Sequence, residues 1–259
     1  MIGCDCSTCR SDDPRDRRLR PSIFVEAADG TAVLVDAGPD LREQALRHQI
    51  RRVDAIVFTH GHADHILGLD DVRRFNVLQK RPMPCFGDAR TVADIRQAFG
   101  YAFSPATAKG GGLPQVATFT IHGPFCVGRH EVVPVPLLHG ERPILGFRFG
   151  AFAYLTDCST IPDRSWDLLG GLEVLVIDAL RDRPHPTHFT LEEAIDASRR
   201  IAAGRTYFTH MCHDLPHAGT SARLPAGMEL AYDGLVIEVP GLKAQGSELW
   251  QEHSQPNRD

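Results

Sequence analysis

No stretch of this 259-residue chain approaches eighteen consecutive apolar residues, and no charged-then-apolar leader opens it, so the sequence offers no membrane-spanning helix and reads as cytoplasmic. An excess of basic charge is missing as well. The net charge of −5 argues against a general electrostatic grip on nucleic acid but leaves room for a local basic patch around Arg10 to Arg20. Aromatic residues make up only 7%, yet hydrophobic residues reach 42%, enough for a sizeable core. The length lies at the upper end of single-domain size, and one domain over residues 1–240 is the expectation. From Gly241 the chain turns polar and aperiodic, which predicts a mobile tail over 241–259.

A disulfide framework is not expected from the seven cysteines, because four are scattered singly and nothing marks an oxidising compartment. Cys4, Cys6 and Cys9 crowd together instead, and close thiols in such a chain are more often metal ligands. Three thiolates need a fourth partner to close a tetrahedral zinc site, and it must come from far along the sequence. The alternative is three reduced cysteines on a frayed terminus.

Against these absences stands one dense cluster. Residues 59–65 read Thr59-His60-Gly61-His62-Ala63-Asp64-His65, directly after the β-branched and aromatic run Ala55 to Phe58. Such a run predicts a buried strand, and a strand end is where α/β enzymes place chemistry. Imidazole and carboxylate suit Zn, Mn or Fe with a position left open for water. His60 and His62 can converge on one ion, while the offset of Asp64 and His65 suggests a second beside it.

The order of elements is informative. Ser22 to Ala27 and Ala32 to Asp36 predict a hairpin at Asp29-Gly30, followed by a helix over Asp40 to Gln49. Asp70 to Leu78 and Thr91 to Phe99 predict helices around a strand at Pro82 to Gly87. Short strands follow at Val116 to Ile121, Phe125 to Val127, Glu131 to Pro136, Leu145 to Phe149 and Ala151 to Leu155. Val174 to Ile177 and Thr206 to Thr209 add two more, with a helix over Leu191 to Ala203, and Glu229 to Tyr232 with Leu235 to Val239 predicts a hairpin around Asp233-Gly234. Two mixed sheets stacked face to face, with helices on both outer faces, accommodate this α/β order. His139, Asp157 and His210 each follow one of the later strands. Any of them alone is more often a hydrogen-bonded loop residue, but with the histidine turn they make five histidines and two aspartates, an inventory for two ions.

The chain resembles the metallo-β-lactamase fold superfamily from Cys4 to Val239. The resemblance rests on Val33-Leu34-Val35-Asp36-Ala37-Gly38, on His60, His62, Asp64 and His65, and on His139, Asp157 and His210 in that order. It implies a four-layer αββα sandwich, one ion on His60, His62 and His139, a second on Asp64, His65 and His210, and Asp157 bridging them. Cys4, Cys6 and Cys9 with Thr209-His210-Met211-Cys212-His213 are similar to the phosphoribosyl cyclic phosphate phosphodiesterases of phosphonate breakdown. That resemblance supplies His213 as fourth ligand of a structural zinc over a stapled segment 1–20. Members of that group begin with an extra strand, so the expected sandwich either lacks the usual first strand or is read from a start too far downstream.

His188, just before the helix at Leu191, either packs or caps at its turn or acts chemically; the resemblance implies contact with the substrate phosphate and protonation of the leaving oxygen. His185 is the competing candidate. Asp36 is expected to fix a ligand imidazole, and Asp178 either supports the site or is structural. The implied reaction is hydrolysis of a small cyclic phosphodiester such as phosphoribosyl 1,2-cyclic phosphate by metal-activated water, with Asp64 and Asp157 taking part. A thioester or lactone hydrolase on the same scaffold, or a non-catalytic carrier like the related quinone-cofactor biosynthesis protein, are the other readings. The segment from Tyr101 to Gln115, with three successive glycines, is read as a surface loop, a flap or a contact with a second subunit of a homodimer.

Overall fold

Ala32–Val35 and Ala55–Val57 are apolar and buried at every position, the pattern of strands that do not alternate because both faces of the sheet are covered. They lie in the sheet of the first of two units. A computed structural model describes residues 1–104 and 112–240, and by its contacts the chain divides into a unit built on Arg20–Val133 and a second unit made of Met1–Leu19 with Pro134–Leu242.

In the first unit, β1 (Ile23–Glu26), β2 (Ala32–Val35), β3 (Ala55–Val57), β4 (Met83–Gly87) and β5 (Val116–Thr120) lie in sequence order. β1 and β2 form the expected hairpin, Ile23 opposite Val35, and the remaining pairs are parallel. Helices α1 (Leu41–Arg47), α2 (Ala63–Ile66), α3 (Arg73–Gln79), α4 (Ala89–Ala98) and α5 (Gly100–Phe103) connect them. Leu41, Ile56, Phe58, Leu69, Phe75 and Ile95 form its core. β1 is an edge strand, and no strand precedes it among the described residues.

Strand β6 (Phe125–Val127) pairs with the start of β7 (His130–His139), which carries the chain into the second unit. There the order is β7, β8 (Arg142–Phe149), β9 (Phe152–Leu155), β10 (Val174–Asp178), β11 (Arg205–Thr209) and β12 (Met228–Leu230), the last four parallel. Helices α6 (Asp163–Trp166), α7 (Leu191–Ile201) and α8 (His217–Ser221) complete it. Leu191, Ala194, Ala197 and Ile201 recur at helical spacing and pack with Leu155, Leu175, Ile177 and Phe208. A capping box starts α7: Thr190 accepts from the Glu193 N–H, and Glu193 accepts from the Thr190 N–H.

Two expectations change. β7 continues past Pro136 to His139, so that histidine is the last residue of the strand. The C-terminal hairpin does not form: β12 pairs parallel with β11, while among the described residues Leu235 to Val239 pairs with no strand and Val236 is 86% exposed. Asp233-Gly234 makes a turn, but Asp233 accepts from the Leu19 N–H and the Glu238 carbonyl accepts from Arg205. The predicted tail 241–259 and the centre of the Tyr101 to Gln115 segment lie outside the described residues. Among those described, no helix is long and apolar enough to cross a membrane.

Candidate metal centres

The histidine turn is assembled by two strand ends of the first unit. Beyond β2 the chain turns at Asp36, with φ of 63°, and beyond β3 it runs through Thr59 and His60 into α2. The Ala37 N–H donates to the His65 carbonyl at 2.8 Å, and the Gly68 N–H to the Ala37 carbonyl at 2.8 Å. Gly38 permits this approach, because a Cβ there would run into the Asp64 carbonyl oxygen.

Fully buried Asp36 accepts from the Thr59 N–H, the Thr59 hydroxyl and His65 Nδ1, each at 2.8 Å. Burial pushes its carboxyl pKa up, and His65 and Thr59 oppose that shift. The contacts fix two tautomers. His65 commits Nδ1–H to Asp36, and the Thr59 hydroxyl, its proton spent on Asp36, can only accept from His60 Nδ1 at 3.0 Å. Both imidazoles therefore present Nε2 as the ligand nitrogen. The His60 ring centroid lies 4.4 Å from that of His62 and 4.2 Å from that of His65. The Asp64 carboxylate stays partly exposed, 3.9 Å from His65 Nε2.

The second unit gathers His139, Asp157, His188 and His210. His139 donates from Nδ1 to the Thr187 carbonyl at 2.8 Å, which again leaves Nε2 as the ligand atom, and burial lowers its pKa toward the neutral form. Parallel register brings the residues after β9 and β11 to the same end of the sheet. Asp157 and His210 both adopt positive φ, 56° and 61°, a conformation that non-glycine residues hold only when their surroundings enforce it. His210 Nε2 lies 3.3 Å from Asp157 Oδ1. His139, Asp157 and His188 offer ligand atoms within 4.8 Å of one another.

His188 stands among these side chains, its ring 4.7 Å from both the His139 and the His210 rings. Its Nδ1 donates to Asp178 Oδ2 at 3.2 Å, and the other oxygen of that buried carboxylate lies 3.6 Å from His210 Nδ1. Asp178 thus supports two imidazoles at once. His185 is 5.0 Å away by ring centroid and is engaged by Thr187; with His188, Ser159, Thr160 and Glu141 it lines a cavity of about 530 Å³.

The same unit brings Cys4, Cys6, Cys9 and His213 within 4.8 Å of one another. His213 Nδ1 is 3.3 Å from both Cys4 Sγ and Cys6 Sγ. A tetrahedral zinc with bonds of about 2.0–2.3 Å holds its ligands roughly 3.5 Å apart, so this donor set fits. The Cys9 backbone N–H and His213 hold the Cys6 thiol down at about 6. Arg18, which sequence reasoning missed, clamps the loop bearing His213 by donating to the Cys212 carbonyl at 2.9 Å and the Leu215 carbonyl at 2.6 Å. Asp16 pairs with Arg18 at 3.2 Å and accepts from the His217 N–H at 2.8 Å. No local signal marks either residue. Thr59 was missed too, although its place beside His60 was the available clue.

Residues 31–211 match the model of the Beta-lactamase superfamily domain. The chain belongs to the beta-lactamase superfamily. Its two sheets, each with its own helices, are of the αββα sandwich class of that superfamily. It is similar, at 48% identity and a TM-score of 0.84 over 91% of this chain and 89% of the other, to a solved diphosphatase from the PhnP family. It is 34% identical over 251 residues to an octanoyltransferase from Porphyromonas gingivalis, covering 95% of this chain but 51% of that protein. The superfamily member described here therefore spans about half the length of that relative. A ribonuclease Z from Pyrobaculum aerophilum is 27% identical over 78% of this chain and 84% of its own length.

Proposed function

We propose that this chain is a metal-dependent hydrolase that cleaves a small phosphodiester, with phosphoribosyl 1,2-cyclic phosphate as the model substrate, and that residues 1–240 act as one domain. The observation that carries the metal reading is the tautomer control at His60, His65 and His139, each with Nδ1 committed and Nε2 left to coordinate. In this reading His60, His62 and His139 serve one divalent ion, Asp64, His65 and His210 another, and Asp157 both. Divalent ions held by such ligands supply Lewis acidity and an activated water. Cys4, Cys6, Cys9 and His213 hold a zinc whose role is structural.

His188 is the proton donor. Its Nδ1–H is held by Asp178, so Nε2 carries the proton that passes to the departing sugar oxygen, and the buried carboxylate stabilises the imidazolium beforehand. The choice of phosphorus is supported by the 48% likeness to a diphosphatase of the PhnP family. The octanoyltransferase likeness favours acyl chemistry less, because half of that protein has no counterpart here. A small molecule is preferred to a nucleic acid because the chain's net charge of −5 opposes a general electrostatic grip on a polyanion.

The test is a parallel assay of bis(p-nitrophenyl) phosphate, a ribose 1,2-cyclic phosphate and a thioester with Mn or Zn supplied. Turnover of the two phosphodiesters supports the proposal. Turnover of the thioester alone replaces it with a thioesterase, and none at all leaves a metal-binding carrier.

A further inference from the structure

We propose that Arg20 grips the anionic phosphoryl group of the substrate and biases the site toward phosphodiesters over neutral esters. The inference rests on the phosphodiesterase reading and adds a residue that selects the substrate class. Arg20 is fixed at its backbone and loose at its tip. Its N–H donates to Asp40 Oδ2 at 2.7 Å, and its carbonyl accepts from Gln44 Nε2 at 2.9 Å, so the start of α1 holds the residue in place. The side chain extends to Asp64, with Nη1 3.5 Å from Oδ2, and remains 58% exposed.

That contact is an ion pair too long for a good hydrogen bond, and among the described residues the guanidinium has no hydrogen-bond acceptor of its own. Other arginines contrast with it. Arg18 spends its guanidinium on carbonyl oxygens, and Arg52 donates to Asp54 at 2.9 Å. Arg20 instead keeps its fork of donors beside the one carboxylate of the histidine turn that is open to solvent. If Asp64 gives its lone pairs to an ion, its hold on Arg20 weakens further. A guanidinium there meets two phosphoryl oxygens in bidentate fashion, whereas a neutral ester offers a single uncharged carbonyl oxygen.

The opposing view is an exposed ion pair of little consequence. Arg20→Ala and Arg20→Lys, loaded with Mn, are compared with the parent for KM and kcat on bis(p-nitrophenyl) phosphate and on p-nitrophenyl acetate, for metal content, and for inorganic phosphate binding by calorimetry. Arg20→Ala is expected to raise KM for the phosphodiester roughly 10- to 100-fold, with kcat less affected, metal content unchanged, and ester hydrolysis unmoved. Phosphate affinity falls in parallel, Arg20→Lys lies between, and added guanidinium ion restores part of the loss. Unchanged KM and unchanged phosphate affinity overturn the inference, as does a loss of metal in Arg20→Ala, which makes Arg20 a support for Asp64 instead. A parent inactive on every phosphodiester overturns the functional reading alone, because phosphate binding still decides whether Arg20 holds the anion.

Discussion

The Nδ1 of His213 lies 3.3 Å from the sulfur of Cys6, although 207 positions separate the two residues. A metal on these atoms ties the N-terminal segment to the β11–α8 loop, a tie that Arg18 and Asp16 reinforce without metal. Cys6→Ser should release about one equivalent of zinc per chain, and losing a few kcal/mol of that tie should lower Tm by roughly 5–10 °C. Plasma emission and thermal unfolding check both. Full zinc content with an unchanged Tm would remove the structural site.

The Asp178–His188 contact leads to a prediction about leaving groups. p-Nitrophenolate departs without a proton, whereas a sugar alkoxide needs one, so His188→Ala should slow the ribose cyclic phosphate on the order of 100-fold more than bis(p-nitrophenyl) phosphate. Asp178→Asn keeps the shape but weakens the support of His188 and His210, and should cost roughly 10- to 100-fold in kcat. Equal losses on both substrates for His188→Ala would deny it the role of acid.

How much of this was legible beforehand follows from distance along the chain. The hairpin at Asp29-Gly30, the strand before the histidine turn and the amphipathic α7 rest on local patterns, and each forms within a residue or two of its expected place. Asp233-Gly234 carries the same local hairpin signal and misleads, because whether Leu235 to Val239 pairs depends on a neighbouring strand, and none of the described residues supplies one. The imidazoles were visible as ligand types, and Asp36 as the carboxylate that fixes one of them, 29 positions from His65; the Thr187 carbonyl that orients His139 from 48 positions away was not. The Arg18 clamp and the approach of Arg20 to Asp64 are tertiary facts with no periodic trace.

Gly38 gives a test of how the first unit builds its turn. The obstacle to a side chain there is the Asp64 backbone, which cannot swing aside as a flexible tip would. Gly38→Ala should therefore cost about 1–3 kcal/mol and lower Tm by roughly 2–4 °C for each of them, with activity falling as Asp64 shifts. Gly123→Ala is the control, since nothing stands within 4 Å of a Cβ at that position. Equal Tm values for the two variants would show that the turn accommodates a methyl group.

Tyr101 supplies a pH prediction away from the metal ligands. Its hydroxyl donates to Asp70 Oδ1 at 2.6 Å, and burial together with that carboxylate pushes its pKa up to about 12. The folded value lies above the ordinary value near 10, so the bond's contribution is complete below pH 10 and is lost as pH rises toward 12. Tyr101 is 38% exposed, and solvent screening holds that contribution below about 1 kcal/mol. In an alkaline titration followed by ultraviolet absorbance, the difference between the parent and Tyr101→Phe should show one phenol ionising above the ordinary value near 10. Asp70→Asn should bring that phenol down toward 10 by removing the negative charge beside it. A difference curve centred at pH 10 in the parent would mean that the Tyr101–Asp70 bond does not persist in solution.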